Sequence, residues 1–198
     1  MRVMIVGQKW LAVELLRQCR REGHAVAAVA GVPGDRLLEA AAVEGVRSVA
    51  ATGALDPAAV PAGVDVILCA HAHGFVPAAA RQRARFGALG FHPSLLPRHR
   101  GRDAVRWTLH MREPVAGGSL YWLDDGADTG PVALQDWCHV RPGDTPAGLW
   151  RRELAPMALR LFSLALGLLE AGGLPAVPQD AALATWEPAF AAGPLVRG

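Results

Sequence analysis

Two short stretches carry the residue types that could do chemistry. The first is Gly90-Phe91-His92-Pro93-Ser94-Leu95-Leu96-Pro97-Arg98-His99-Arg100-Gly101-Arg102. Pro93 and Pro97 restrict the backbone on either side of Ser94-Leu95-Leu96, so that segment reads as a rigid turn. A histidine locked ahead of such a turn is preorganised as an acid–base or oxyanion-stabilising group must be. On local pattern alone, a core histidine beside a turn is the alternative. The second stretch is Asp124-Asp125-Gly126-Ala127-Asp128-Thr129-Gly130. Its carboxylates lack the spacing and terminal glutamate of a calcium loop, and a solvated turn is also allowed. Arg98, Arg100 and Arg102 suit bidentate capture of a phosphate or carboxylate, or they balance the aspartates; spacing alone does not choose. His71 and His73, with His92 and His99, invite a zinc reading, but no H-E-x-x-H or cysteine pair supports it. Neutral histidines lining a pocket fit better, and no metal is expected.

The elements around these stretches read as an alternating α/β chain. Arg2–Val6 is a short apolar strand ending at Gly7, and Ala12, Leu15, Leu16 and Cys19 recur at helical spacing between Trp10 and Arg21. Ala25–Ala30 follows as a buried strand, which completes a βαβ opening. A dinucleotide site would place G-x-G-x-x-G at the first turn; only Gly7 is there, so it reads as a tight-turn glycine. A second helix spans 35–44 with Asp35 as N-cap, then a third strand 46–49. Val64–Ala70, apolar except for Asp65, is a continuous run of the type buried on both faces. A short basic helix leads to Arg85, and strand 88–91 delivers His92 at its C-terminal end, where open α/β sheets bind ligands. Helix 103–110, strand 117–123, strand 131–140 and a long helix 146–171 complete the pattern. Pro156 should bend or interrupt that last helix. Trp186 is expected to dock a Pro- and Ala-rich tail.

The chain has 198 residues, 52% of them hydrophobic and 19% charged, with a net charge of +2. That suits one globular domain with a sizeable core and argues against a dedicated nucleic-acid binder. No apolar stretch reaches the roughly 18 residues of a membrane span, so no membrane partner is expected. The N-terminus reads as a strand rather than a signal peptide. Cys19, Cys69 and Cys138 are sparse and far apart, which fits a cytoplasmic location.

Taken together, His92-Pro93-Ser94-Leu95-Leu96-Pro97-x-x-x-Gly101 and Asp124-Asp125-Gly126-Ala127-Asp128-Thr129-Gly130 resemble the signature of the 10-formyltetrahydrofolate-using formyltransferase family. The resemblance runs through Val6-Gly7-Gln8, Arg21-Glu22-Gly23-His24, Trp107-Thr108-Leu109, Leu134-Gln135 and Pro178-Gln179. It is nearest to the hydrolase region of formyltetrahydrofolate dehydrogenase, and extends to methionyl-tRNA, glycinamide ribonucleotide and sugar N-formyltransferases. It implies a Rossmann-like, mostly parallel sheet with one antiparallel strand, helices on both faces, and a cis Leu96–Pro97 peptide. It also implies a single catalytic domain over 1–198 without a C-terminal β-barrel module. The family trio is written N-x-H…D: His92 and Asp128 match as catalytic groups, while the asparagine position holds Gly90. His73, Gly74 and Phe75, with Asp124, Asp125, Gly126 and Ala127, are implied to bind the pterin ring of the donor. Gly90, Ser94, Arg98 and Arg100 are assigned to the substrate. The implied reaction passes the formyl group of 10-formyltetrahydrofolate to a small-molecule amine. Hydrolysis to formate, or folate binding by an impaired site, are the alternatives. Acceptor identity and oligomeric state stay open.

Overall fold

A computed structural model describes residues 1–72 and 74–190. Among the described residues, seven strands form one sheet in the order β3-β2-β1-β4-β5-β6-β7. They are β1 (Arg2–Gly7), β2 (Ala25–Gly31), β3 (Ser48–Ala50), β4 (Val66–Ala70), β5 (Ala88–His92), β6 (Val115–Trp122) and β7 (Val132–His139). Strands β1 to β5 pair in parallel, and β6 runs antiparallel to both β5 and β7. The one reversed strand matches the expectation from sequence. The reversal sets the end of β6 beside the start of β5, with Trp122 facing Leu89 and Ser119 facing His92, so the loop after β6 folds back along the sheet to bring Asp128 to His92.

Alternation along the strands divides the core in two. Val3, Ile5, Leu68, Leu89 and Leu120 face α1 (Lys9–Arg21), α2 (Arg36–Val43) and α6 (Ala155–Glu170). Met4, Val6, Ile67, Cys69 and Ala88 face α3 (Ala78–Arg81) and the turn 57–59. α4 (Ala104–His110) follows the His92 loop, and α5 (Pro146–Leu149) leads toward α6. Asp35 caps α2 as expected, its carboxylate accepting from the amide of Leu37 at 2.9 Å. Gly7 permits a close approach rather than a cofactor: a Cβ there would lie 2.0 Å from the Ala70 carbonyl oxygen.

The third strand lies at 48–50 rather than 46–49, because Val46 hydrogen-bonds back to Ala41 and closes the end of α2 first. The basic helix ends at Arg81, and its remainder to Gly87 is a series of turns. The long C-terminal helix is interrupted just upstream of Pro156. Residues 150–154 form a π-helical segment in which the Ala155 amide reaches the carbonyl of Trp150. Pro156 has no N–H for the carbonyl of Arg152, so the wider turn takes up the mismatch before α6 begins.

Candidate active site

Strand β5 ends on His92, which is 6% exposed. Its Nε2 lies 2.7 Å from the carbonyl oxygen of His99. A carbonyl only accepts, so Nε2 carries the hydrogen. Nδ1 is turned the other way, 3.5 Å from Oδ2 of Asp128. The loop that returns to His99 is braced from within and from β6. The Ser94 hydroxyl donates to the Arg98 carbonyl at 2.5 Å, and the Ser119 hydroxyl donates to the Ser94 carbonyl at 2.6 Å. Leu96–Pro97 is cis. The imidazole is therefore fixed at one end by backbone and open to a carboxylate at the other.

Asp128 is held as tightly. It adopts a left-handed backbone with φ of 57°. Oδ1 accepts from the Tyr121 hydroxyl at 2.7 Å, and Oδ2 accepts from the Gly101 amide at 2.8 Å. Its carbonyl accepts from Gln179 Nε2 at 2.9 Å, and the same amide group donates to the Gly130 carbonyl at 2.7 Å. The other end of Gln179 accepts twice from Arg100, at 3.0 and 2.8 Å. Two loops from distant parts of the sequence are thus joined around one His–Asp pair.

A third junction lies beside it. Arg81 donates to the carbonyls of Val76 at 2.7 Å and Asp124 at 2.9 Å, and to the carboxylate of Asp125 at 2.7 Å. It clamps the segment containing Gly74 and Phe75 to the acidic loop. Asp124 shapes that loop from within, accepting from the Gly126 amide and the Thr129 hydroxyl. Asp125, Gly126 and Ala127 are exposed, and Phe75 is 47% exposed. The predicted donor-binding residues Gly74, Phe75 and 124–127 therefore form two adjacent rims; His73 lies outside the described residues.

The residues assigned to the substrate are placed differently from expectation. Ser94 is buried at 2% exposure and serves the turn, because its hydroxyl is consumed by the backbone of residue 98. Arg98 pairs with Glu113, and Arg100 is spent on Gln179. His99 belongs to the scaffold, with Nε2 3.0 Å from Glu113 and Nδ1 3.0 Å from Glu187. Over Gly90 there is no vacancy: a Cβ there would lie 2.7 Å from Leu123 Cδ1 and 3.2 Å from Tyr121 Cε1. Sequence reasoning missed Tyr121, Arg81 and the amide of Gly101. Tyr121 is the one tyrosine in the chain, and its partnership with Gly90 needs the β5–β6 register to be seen.

Residues 1–156 match the model of the formyl transferase family. The chain belongs to that family. Among relatives, the human mitochondrial 10-formyltetrahydrofolate dehydrogenase is 33% identical over 207 residues, covering 94% of this chain and 22% of that protein. The methionyl-tRNA formyltransferase of Deinococcus radiodurans is 41% identical over 127 residues, covering 64% of this chain and 39% of that protein. This formyl transferase chain thus spans about a fifth of the length of the dehydrogenases it matches. Among solved structures, glycinamide ribonucleotide transformylase 1 from Symbiobacterium toebii superposes with a TM-score of 0.75 at 27% identity, covering 91% of this chain and 94% of that one.

Proposed function

We propose that this formyl transferase domain moves the formyl group of 10-formyltetrahydrofolate to the amine of a small-molecule acceptor. The observation that carries the reading is the pair His92 Nδ1 and Asp128 Oδ2, 3.5 Å apart at the C-terminal edge of the sheet. The rims bridged by Arg81 fit the donor: exposed loop backbone at 125–127 lies near the half-exposed ring of Phe75, which suits a flat, hydrogen-bonding heterocycle.

The bound donor supplies an electrophilic formyl carbon on N10. His92 and Asp128 then divide the work on charge and protons. Nε2 is committed to the His99 carbonyl, so Nδ1 is the nitrogen available to hold a mobile proton toward the reacting oxygen. Negative charge that gathers on the formyl oxygen is stabilised by that proton, in a site where the imidazole needs no reorientation. Asp128 stabilises the protonated ring and takes the proton lost by the attacking amine, which returns to N10 as it leaves. The products are a formamide and tetrahydrofolate. With water as nucleophile the same steps release formate, and Gly90 at the asparagine position favours that second reading. Losing a donor of this kind is typically worth about 3–4 kcal/mol.

The deciding experiment incubates the protein with 10-formyltetrahydrofolate, alone and with a panel of amines. Mass gain of one formyl group on an amine supports transfer. Formate released at full rate with no amine present supports hydrolysis instead and sinks transfer. The three cysteines, unpaired among the described residues, support a reducing, cytoplasmic setting for either reaction.

A further inference from the structure

We infer that Tyr121 is a positioning residue of this site: its hydroxyl orients the Asp128 carboxylate toward His92, and its ring fills the space left by glycine at position 90. The inference rests on the proposed roles of His92 and Asp128.

Four observations converge on it. Gly90 and Tyr121 are direct partners in the antiparallel register of β5 and β6, so the side chain of residue 121 rises on the face that a side chain at 90 would use. A Cβ on residue 90 would sit 3.2 Å from Tyr121 Cε1 and 3.4 Å from Cζ, so ring and side chain compete for one volume. The hydroxyl spans from there to Asp128 Oδ1 at 2.7 Å. Gly101 holds the other oxygen at 2.8 Å, so each carboxylate oxygen has its own donor and rotation about the Cβ–Cγ bond is blocked. Oδ2 is thereby left facing Nδ1 of His92. Burial, reinforced by the charge of Asp128 and the hydrogen bond to it, pushes the phenol well above its ordinary range. The hydroxyl therefore stays a donor throughout the neutral and mildly alkaline range.

A ring that merely packs over Gly90 would work as well without its oxygen. Tyr121→Phe separates the two roles, because it keeps the ring. The expected result is a fall in kcat of about 10- to 100-fold, as for loss of a hydrogen bond to a charged group, with an unchanged KM for 10-formyltetrahydrofolate. In an Asp128→Asn background the same change should cost about twofold or less, since the group it acts through is gone.

Because the chain holds a single tyrosine, labelling tyrosine with 13C at Cζ gives one resonance, readable on the free protein. Asp128→Asn should move it. A stationary resonance, wild-type kcat in Tyr121→Phe, or an undiminished loss on top of Asp128→Asn would each overturn the inference. If the wild type turns over 10-formyltetrahydrofolate with neither amine nor water, the functional reading fails and the positioning role with it. The Cζ resonance still decides the contact in that case.

Discussion

Trp186 packs against Gly101, with its indole carbons 3.2–3.3 Å from the point where a Cβ on residue 101 would stand. Gly101 has φ of +92° and gives its amide to Asp128. One glycine thus joins the C-terminal tail to the His–Asp pair. Gly101→Ala meets both the left-handed backbone and the indole, and is expected to cost about 1–3 kcal/mol. Thermal unfolding checks this, with Tm falling roughly 2–4 °C for each kcal/mol in a chain of this size. Activity should fall further than stability does, because the Asp128 donor shifts with the backbone.

His92→Ala should lower kcat by about 10²–10⁴-fold, the usual loss for a positioned acid–base group. His92 is also a buried link to the His99 carbonyl, so His92→Gln is the informative companion. It can keep the hydrogen bond while removing the mobile proton. Single-turnover rates with 10-formyltetrahydrofolate should be low in both, with the loop intact only in the second.

Restoring the family asparagine should not restore speed. Gly90→Asn brings a side chain into space held by Leu123 and Tyr121, and overpacking of this kind costs about 1–3 kcal/mol. The expected outcome is a less stable and slower protein. Adding Leu123→Ala should recover part of the stability, since Leu123 Cδ1 is the nearest atom at 2.7 Å. Urea midpoints of the single and double variants measure this directly.

Arg81→Ala cuts the clamp between the Val76 and Asp124 carbonyls and releases Asp125. The rims then drift relative to one another. We expect KM for the donor to rise about tenfold, with a smaller change in kcat, as for loss of charged hydrogen bonds that shape a pocket. Steady-state kinetics across donor concentration separates the two effects.

Hydrogen bonds from Arg152, with the Arg141 amide, hold the Asp144 carboxyl down from 3.8 to about 2. A lowered folded value means the contribution is fully present above the unfolded value and is lost as pH falls from about 4 through about 2. Asp144→Asn should flatten the acid side of the stability curve and leave its slope near neutrality unchanged. Urea unfolding at a series of pH values tests the sign. A variant that keeps the wild-type acid slope would refute it.

Local sequence decided a good deal of this molecule. The apolar run of β4, the helical spacing of α1, the Asp35 cap and the break upstream of Pro156 follow from side-chain pattern and from the missing N–H of proline. The prolines around Ser94 likewise announced a rigid turn carrying His92. These features are legible because they depend on neighbours a few residues away.

What surrounds the pair was settled by long-range pairing. Tyr121 meets Gly90 because an antiparallel strand sets that register, and a shift of one residue would have sent its phenol to the opposite face of the sheet. Arg98 and Arg100 looked available for a ligand until Glu113 and Gln179 arrived from other parts of the chain to engage them. A charged side chain takes whichever partner the fold brings within reach, and sequence spacing does not record it. The sequence by itself determined that His92 would be held ahead of a rigid turn, and the resemblance of the two motifs matched Asp128 to it. Only the tertiary structure decided that a tyrosine and a glycine amide aim one at the other, since hydrogen-bond geometry is fixed by where separate strands finally lie.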